Sequence, residues 1–220
     1  METKQKKGRG KYWTHKWNFE NFCEVERVGL SGGLFLCWKN ISLNVLDATN
    51  FIHTRMKHPT FGLCYFTFVY GRPKTSKRKE VWDQLASFQE HINGPWIWIG
   101  DFNQVLSNAD KQSSTSQNCP GASHLHNCLR DTEMIPLQST GVKYTWKNKR
   151  DGDALVLEKL DRAFINNVWP HTFEHCTLEA WPITVSDHAP LVLDINNIPI
   201  YRRRPFRFEA MWLLHPRCKK

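Results

Sequence analysis

No stretch of this sequence stays apolar for the ~20 residues that a membrane-spanning helix requires. The first residues, from Met1 to Phe19, are basic and polar, and they lack the apolar core of a secretory signal peptide. From these two absences we expect an intracellular protein that is not secreted and has no membrane partner.

The sequence also lacks any Cys-x-x-Cys pair, and its 7 cysteines are scattered and odd in number. This pattern argues against a disulfide framework and against a structural zinc site, and it fits a reducing compartment. His124 and His126 are two residues apart, but no third ligand stands at a usual zinc spacing, so we interpret them as surface histidines.

Acidic residues are in the minority: 21 Asp and Glu face 30 Lys and Arg, which gives a formal charge of +9. A basic chain favours a polyanionic partner. Basic runs at the ends, in Lys4–Lys16 and Arg202–Arg204, are typical of solvated tails. A third group would bind nucleic acid by neutralising phosphates, and its members are Arg72, Lys74, Lys77 and Arg78.

Short apolar segments separated by turn residues predict many strands. Two helices are predicted, at Lys79–Ile92 and at Ser123–Met134. In the first of them, apolar residues recur at helical spacing on one face. Many strands with few helices predict an α+β fold of two packed β-sheets flanked by helices. The predicted strands are Gly33–Trp38, Ile41–Leu46, Phe51–Met56 and Leu63–Tyr70 as one meander, then Trp96–Ile99, Val142–Trp146, Val156–Ile165, Cys176–Trp181 and Pro190–Ile195.

We predict one domain over 1–195, followed by a basic, proline-containing linker over 196–220. The ten tryptophans, Trp96 and Trp98 among them, are interpreted as core residues rather than as stacking platforms for bases.

A carboxylate and an amide follow the predicted buried strand that ends at Gly100. Asp101 and Asn103 would point the same way from an extended chain, so that the carboxylate could accept a proton from water while the amide holds that water. The alternative is an Asx-turn, which this pair of residues also favours.

Three further polar positions interrupt apolar segments. Asp161 lies inside an apolar strand and needs a partner, for which an imidazole would serve. His188 could be that partner or contact a phosphate, and the adjacent Asp187 could ligate a metal. Tyr70 closes a strand and could donate its hydroxyl to a phosphate oxygen, with Arg72 adding charge.

In this order and spacing, the motifs resemble those of the endonuclease/exonuclease/phosphatase superfamily, whose fold is deoxyribonuclease I-like with four layers. Within it, the chain is similar to the endonuclease module that precedes reverse transcriptase in plant non-LTR retroelements. The residues that carry the resemblance are Gly29–Leu34, Trp38-Lys39, Val69–Gly71, Gly100–Asn103, Tyr144–Trp146, Leu160–Ala163, Ser186–His188 and the segment Arg204–Trp212.

The resemblance implies a monomeric endonuclease that uses Mg²⁺ (or Mn²⁺) and no organic cofactor. Water would attack a DNA phosphodiester in line. Asp101 would position and deprotonate this water with the help of Asn103, Tyr70 would contact the phosphate, and His188, oriented by Asp161, would stabilise the developing charge. The metal ligands implied by the resemblance are Glu2 and Asp187, whose oxygens suit Mg²⁺.

The family's pattern begins with an Asn-bearing strand and a helix, whereas this sequence begins at the acidic motif of Glu2. The resemblance therefore implies an N-terminally incomplete domain with impaired hydrolysis. A retroelement remnant that binds nucleic acid without cleaving it is the alternative from another functional class. A phosphatase acting on small phosphorylated molecules is a third, disfavoured by the retroelement-like segments Leu160–Ala163 and Arg204–Phe208.

Overall fold

The computed structural model describes residues 8–28, 31–114 and 118–196. Its helices are α1 (Gly10–Lys16), α2 (Arg78–Ser87), α3 (Ala122–Asp131) and α4 (Trp169–Thr172), with 3-10 turns at Thr75–Lys77, Gln89–His91, Asn108–Asp110 and Gly152–Ala154. The strands are β1 (Asn21–Val28), β2 (Ser31–Trp38), β3 (Leu43–Ala48), β4 (Phe51–His58), β5 (Gly62–Tyr70), β6 (Trp96–Asp101), β7 (Lys111–Gln112), β8 (Ile135–Pro136), β9 (Ser139–Gly141), β10 (Trp146–Lys147), β11 (Leu157–Glu158), β12 (Asp161–Ile165), β13 (Thr177–Ala180) and β14 (Leu191–Asp194).

A six-stranded sheet with the order β3-β4-β5-β6-β12-β8 forms the centre of the fold. The pairs β3–β4, β4–β5, β6–β12 and β12–β8 are antiparallel, whereas β5 and β6 are parallel. A parallel neighbour requires a crossover connection, and α2 supplies it. The sheet has both faces covered, and accordingly Trp96, Ile97 and Trp98 of β6 are at most 1% exposed.

One face of this sheet packs against α2 and α3. Alternation along β6 sends Trp96 and Trp98 to this side, where they join Trp82 and Leu85 of α2 and Leu125 of α3 in one hydrophobic cluster. The helices therefore form an outer layer over a sheet face that is rich in aromatic residues.

The opposite face packs against a second β layer. This layer contains the antiparallel hairpin β1–β2 and the three-stranded sheet β14-β13-β9. Leu34 of β2 meets Ile52 and Tyr70 of the central sheet, and Leu178 of β13 meets Ile97. The α+β fold with two packed β layers and outer helices is thus confirmed.

Several predicted elements were wrong in extent or partner. The predicted strand Gly33–Trp38 does not continue the meander, because β2 pairs with β1 in a separate hairpin. Only Trp146 of the predicted strand Val142–Trp146 lies in a strand, β10, while the segment Val156–Ile165 is divided into β11 and β12. Thr145 lies between β9 and β10 and not in a strand. Its side-chain oxygen accepts hydrogen bonds from the backbone N–H groups at the start of β12.

The basic start of the chain was interpreted as a solvated tail, but its described part, from residue 8, contains α1 and then β1. The basic sequence pattern did not predict α1. Trp17, the residue that directly follows this helix, packs against Phe35 of the hairpin. No helix among the described residues is long and apolar enough to cross a membrane. The predicted linker over 196–220 lies, apart from residue 196, outside the described residues.

A buried histidine makes the stability of the core depend on pH. His53 is 2% exposed, stacks on Phe88, and its Nδ1 lies 2.8 Å from Thr67 Oγ1. Thr67 Oγ1 also accepts a hydrogen bond from Trp96 Nε1, so this hydroxyl links the indole to the imidazole. Burial lowers the pKa of His53 from 6.5 to about 4.

We therefore expect acid to destabilise the protein through His53. The unfolded chain binds the proton near pH 6.5 and the folded chain only near pH 4, so stability falls by up to about 3 kcal/mol as the pH drops through that window. Urea unfolding at several pH values should show a weaker acid dependence for His53→Gln than for the wild type. The exposed His124→Gln serves as control, and a wild-type slope retained by His53→Gln would contradict the assignment.

Candidate active site

Two aspartates face each other across the end of the central sheet. Asp101 ends β6, Asp161 begins β12, and the antiparallel register makes them direct partners. His188, in the loop before β14, donates its Nδ1 proton to Asp161 Oδ2 over 2.9 Å, and its Nε2 lies 3.9 Å from Asp101 Oδ2. Ligand atoms of the three residues all lie within 4.8 Å of one another.

Glycines allow the two strands that carry Tyr70 and Asp101 to approach at this edge. Gly100 has φ +144°, and a Cβ there would strike the carbonyl oxygen of Val69. A Cβ on Gly71 would strike the carbonyl oxygen of Phe102. Side chains at either position would force β5 and β6 apart and displace Asp101.

Asn103 holds Asp101 in place. Its backbone N–H donates to Asp101 Oδ1 over 2.7 Å, and its Nδ2 donates to Asp101 Oδ2 and to the carbonyl oxygen of Gly71, each over 2.8 Å. The chain is not extended here, since Asn103 has φ +49°. The Asx-turn that the sequence left open is therefore present, and it orients the carboxylate toward His188.

Thr145 connects Asp161 to His188, although the sequence predicted no role for it. It is fully buried, and its Oγ1 accepts the backbone N–H groups of Leu160 and Asp161 over 3.0 and 2.9 Å. Its carbonyl oxygen accepts the N–H of Ala189 over 2.7 Å. The only sequence signal was its place in Tyr144-Thr145-Trp146, a motif of the resemblance.

Opposing influences act on the imidazole of His188. Burial disfavours its charged form and is the largest single influence, but the hydrogen bond to Asp161 and the negative charges of Asp161, Asp101 and Asp187 together outweigh it. The pKa of His188 is therefore raised above its ordinary value. The loop is held by Ser186 Oγ, which accepts the backbone N–H of His188 over 3.0 Å.

Comparison with solved structures identifies the fold in which this site lies. No protein-family model and no curated protein matches the sequence. Among solved structures, the chain is similar to the endonuclease domain of TRAS1, a telomere-specific non-LTR retrotransposon (TM-score 0.62, 13% identity, 80% of each chain covered). It is also similar to the 3'-5' exonuclease NExo from Neisseria meningitidis (TM-score 0.62, 14% identity, 88% of this chain and 86% of that one).

An AP endonuclease from Archaeoglobus fulgidus matches comparably, with a TM-score of 0.61 and 14% identity over 89% of this chain and 86% of that one. The chain has the endonuclease/exonuclease/phosphatase fold. At such identities the likeness concerns the fold, so the roles of residues in this domain rest on their own geometry.

A cavity of about 430 Å³ opens at the sheet edge, and Asp101, Asp161 and His188 line it. Tyr70 also lines it, because β5 runs parallel to β6 and pairs Tyr70 with Asp101. Most of the remaining wall is apolar and comes from both β layers, with Leu34 and Ile52 as examples, and Thr184 and Ser186 also line it.

Of the two predicted metal ligands, the structure describes only Asp187. Glu2 lies outside the described residues. Asp187 directly precedes His188, but its Oδ1 lies 3.8 Å from Lys149 Nζ, and it is not in the compact group. The two carboxylates that are in the group suit a hard divalent cation, which takes oxygen ligands and keeps several waters. The donor set therefore fits such an ion at this edge.

The predicted nucleic-acid-binding loop contains two kinds of residue. Lys74 and Lys77 are exposed, and Arg72 is half-buried. Arg78 instead binds the protein: its Nε and Nη2 donate to the carbonyl oxygens of Arg72 and Pro73 over 2.8 Å each, and its Nη1 donates to Gln104 Oε1 over 2.9 Å. Arg78 therefore fixes the loop, and Lys74 and Lys77 remain available to a phosphate.

Removing the Thr145 hydroxyl should disturb the site as well as stability. In Thr145→Val, two buried N–H groups lose their acceptor, so we expect a loss of about 1–3 kcal/mol in urea unfolding. The imidazole NMR signals of His188 should shift, because Asp161 is no longer held. Thr54→Val is the matched control, since Thr54 is fully buried and donates to the carbonyl oxygen of Phe66; equal His188 shifts in both variants would contradict the role of Thr145.

Proposed function

We propose that this domain is a metal-dependent phosphodiesterase that hydrolyses DNA, the endonuclease module of a non-LTR retroelement. The observation that carries the proposal is the Asp161–His188 hydrogen bond directly beside Asp101, at one edge of an endonuclease/exonuclease/phosphatase fold. Such a pairing of a carboxylate with an imidazole is what acid–base and electrostatic catalysis on a phosphate requires.

The fold supports a nucleic-acid substrate. The structures that it resembles include a retrotransposon endonuclease and an AP endonuclease, and one of NExo is described as a 3' phosphatase bound to product DNA hairpin. For this chain, a DNA substrate also agrees with the formal charge of +9 and with the exposed Lys74 and Lys77 beside Tyr70.

In the proposed reaction, Asp101 accepts a proton from a water molecule whose oxygen forms the new bond to phosphorus. The bond from phosphorus to the leaving sugar oxygen breaks in line. The 3.9 Å between His188 Nε2 and Asp101 Oδ2 is too long for a direct hydrogen bond. A water molecule that donates to Asp101 and accepts from His188 would bridge the two groups.

His188, whose Nδ1 proton is held by Asp161, would direct its Nε2 proton to the phosphoryl oxygen as negative charge develops. Tyr70 would contact the same phosphate from β5. Asn103 would act by orienting Asp101, since both of its Nδ2 protons are already donated within the site. A bound Mg²⁺ or Mn²⁺ near the carboxylates, with Glu2 and Asp187 as further ligands, would supply neutralisation of phosphate charge.

We expect the protein to nick supercoiled plasmid in the presence of Mg²⁺, and we expect a chelator to stop the reaction. Asp101→Ala and His188→Ala should each lower the rate by about 10²-fold or more, because one removes the proton acceptor and the other a charge-stabilising donor. The readout is conversion of supercoiled to open-circular DNA on a gel.

Two surface variants provide matched controls. Asp131→Ala removes a carboxylate that is 61% exposed, and His124→Ala removes an exposed imidazole of α3. Both should nick as the wild type does. Retardation of DNA by the wild type, with no nicking, would overturn the hydrolase and favour the alternative, a remnant that only binds nucleic acid.

The basic loop gives a second test of the DNA partner. Replacing Lys74 and Lys77 by alanine should weaken duplex binding uniformly across sequences and reduce the slope of log K against log salt by about 0.9 for each phosphate that is no longer neutralised. Arg78→Ala should instead lower the midpoint of urea unfolding, because it breaks three hydrogen bonds. An unchanged salt slope in the double lysine variant would exclude this loop from the interface.

A further inference from the structure

Five aromatic rings form a continuous ladder on the face of the β1–β2 hairpin opposite the core, and one of them, Phe35, also lines the candidate active-site cavity. The ladder consists of Tyr12, Trp13, Trp17, Phe35 and Phe22. Neighbouring ring centroids lie 5.0, 4.9, 6.2 and 6.1 Å apart in that order, and the Trp13–Trp17 pair is stacked. The opposite, core-facing side of the hairpin carries Cys23, Val25, Leu34 and Leu36.

Three of the five rings in this ladder are exposed to solvent. Tyr12 is 56% exposed, Trp17 50% and Phe22 40%. By contrast, Trp82, Trp96, Trp98 and Trp169 are buried, as the sequence predicted for tryptophans in general. A contiguous exposed aromatic surface on a folded domain marks an interaction site more often than an accident of packing.

The charge around the ladder is positive. Lys16 Nζ lies 5.1 Å from the centroid of the Trp13 ring and 5.8 Å from that of Tyr12. Arg9 and Lys11 are exposed on the same short helix, which contains no acidic residue. The sequence places Lys4, Lys6 and Lys7 immediately before it.

Two nearby acids are turned toward the backbone. Glu24 Oε2 accepts the N–H of Gly10 over 3.2 Å, and Glu20 Oε2 accepts the N–H of Asn40 over 3.1 Å. Glu26 is the acid further along β1, beyond Glu24. Helix α1 itself contains no acid, so its exposed Tyr12 stands beside the exposed Lys11 and Lys16, while Glu24 places one negative charge at the start of the helix.

We propose that this ladder binds single-stranded nucleic acid, with unpaired bases stacked on Tyr12 and Trp17 and with phosphates beside Lys11 and Lys16. Exposed aromatics interleaved with basic residues form the usual platform for unpaired bases. Surfaces that bind other proteins are by contrast poor in lysine. A duplex keeps its bases stacked on each other, so the ladder discriminates in favour of single strands.

The proposal does not depend on hydrolysis, because no residue of the ladder belongs to the Asp101–Asp161–His188 group. The test is fluorescence anisotropy of a labelled oligothymidine strand, titrated with the His188→Ala protein so that cleavage does not interfere. In that background, Trp17→Ala and Tyr12→Ala should each weaken binding about fivefold or more, whereas Trp17→Phe, which keeps an aromatic ring, should retain most of the affinity. Lys16→Ala should lower the salt slope by about 0.7.

Phe61→Ala is the control, since Phe61 is 37% exposed at the turn between β4 and β5, at the other end of β5 from Tyr70. It should bind the strand as the parent does. Circular dichroism and urea unfolding show whether each variant is folded, and Trp17→Phe keeps the test decisive if Trp17→Ala unfolds.

Parent affinity in folded Trp17→Ala and Tyr12→Ala would overturn the proposal, as would equal loss of duplex and single-strand binding in both. Size-exclusion chromatography that shows dimers disappearing in Trp17→Ala, with strand binding unchanged, would also overturn it and assign the ladder to a second copy of the chain. Failure of plasmid nicking would refute the proposed hydrolase and leave these binding results untouched.

Discussion

Two carboxylates that oppose each other on neighbouring strands repel, and the candidate active site depends on how this repulsion is relieved. The register of β6 and β12 makes Asp101 and Asp161 direct partners, a placement that costs stability for like charges. His188 lies against both, hydrogen-bonded to Asp161 and 3.9 Å from Asp101. The same negative charges raise its pKa. An imidazolium or a bound metal ion at this edge would relieve the repulsion that the strand pairing creates.

The residues around this triad serve mainly to fix it. Asn103 donates three hydrogen bonds that hold Asp101 and Gly71 together, and Thr145 joins the start of β12 to the loop of His188. Beneath Asp101, Phe102 is fully buried and stacks with Trp82 of α2. The polar groups are therefore mounted on a packed sheet whose aromatic core resists displacement, which is the preorganisation that electrostatic catalysis needs.

Much of this arrangement could be predicted from the sequence, because it follows from local patterns. The apolar run Trp96–Ile99 predicted a buried strand, and the carboxylate inside an apolar segment predicted that Asp161 needs an imidazole partner. Other features depend on contacts between distant segments. No local sequence pattern indicates that Thr145 is a buried acceptor for two N–H groups. Nor does a local pattern distinguish Arg78, which binds the protein, from the exposed Lys74 and Lys77. At the start of the chain, lysines interleaved with aromatics gave no regular periodicity, so α1 and its pairing with the hairpin were missed.

The long path of the chain between Asp101 and Asp161 has a kinetic consequence. Between β6 and β12 the chain passes through α3 and a series of short strands, so the two aspartates meet only after a large loop has closed. Pairings of this kind form late and slowly compared with hairpins such as β4–β5. The carboxylate of Asp101 and the imidazole held by Asp161 are therefore brought together only when this long-range pairing has formed.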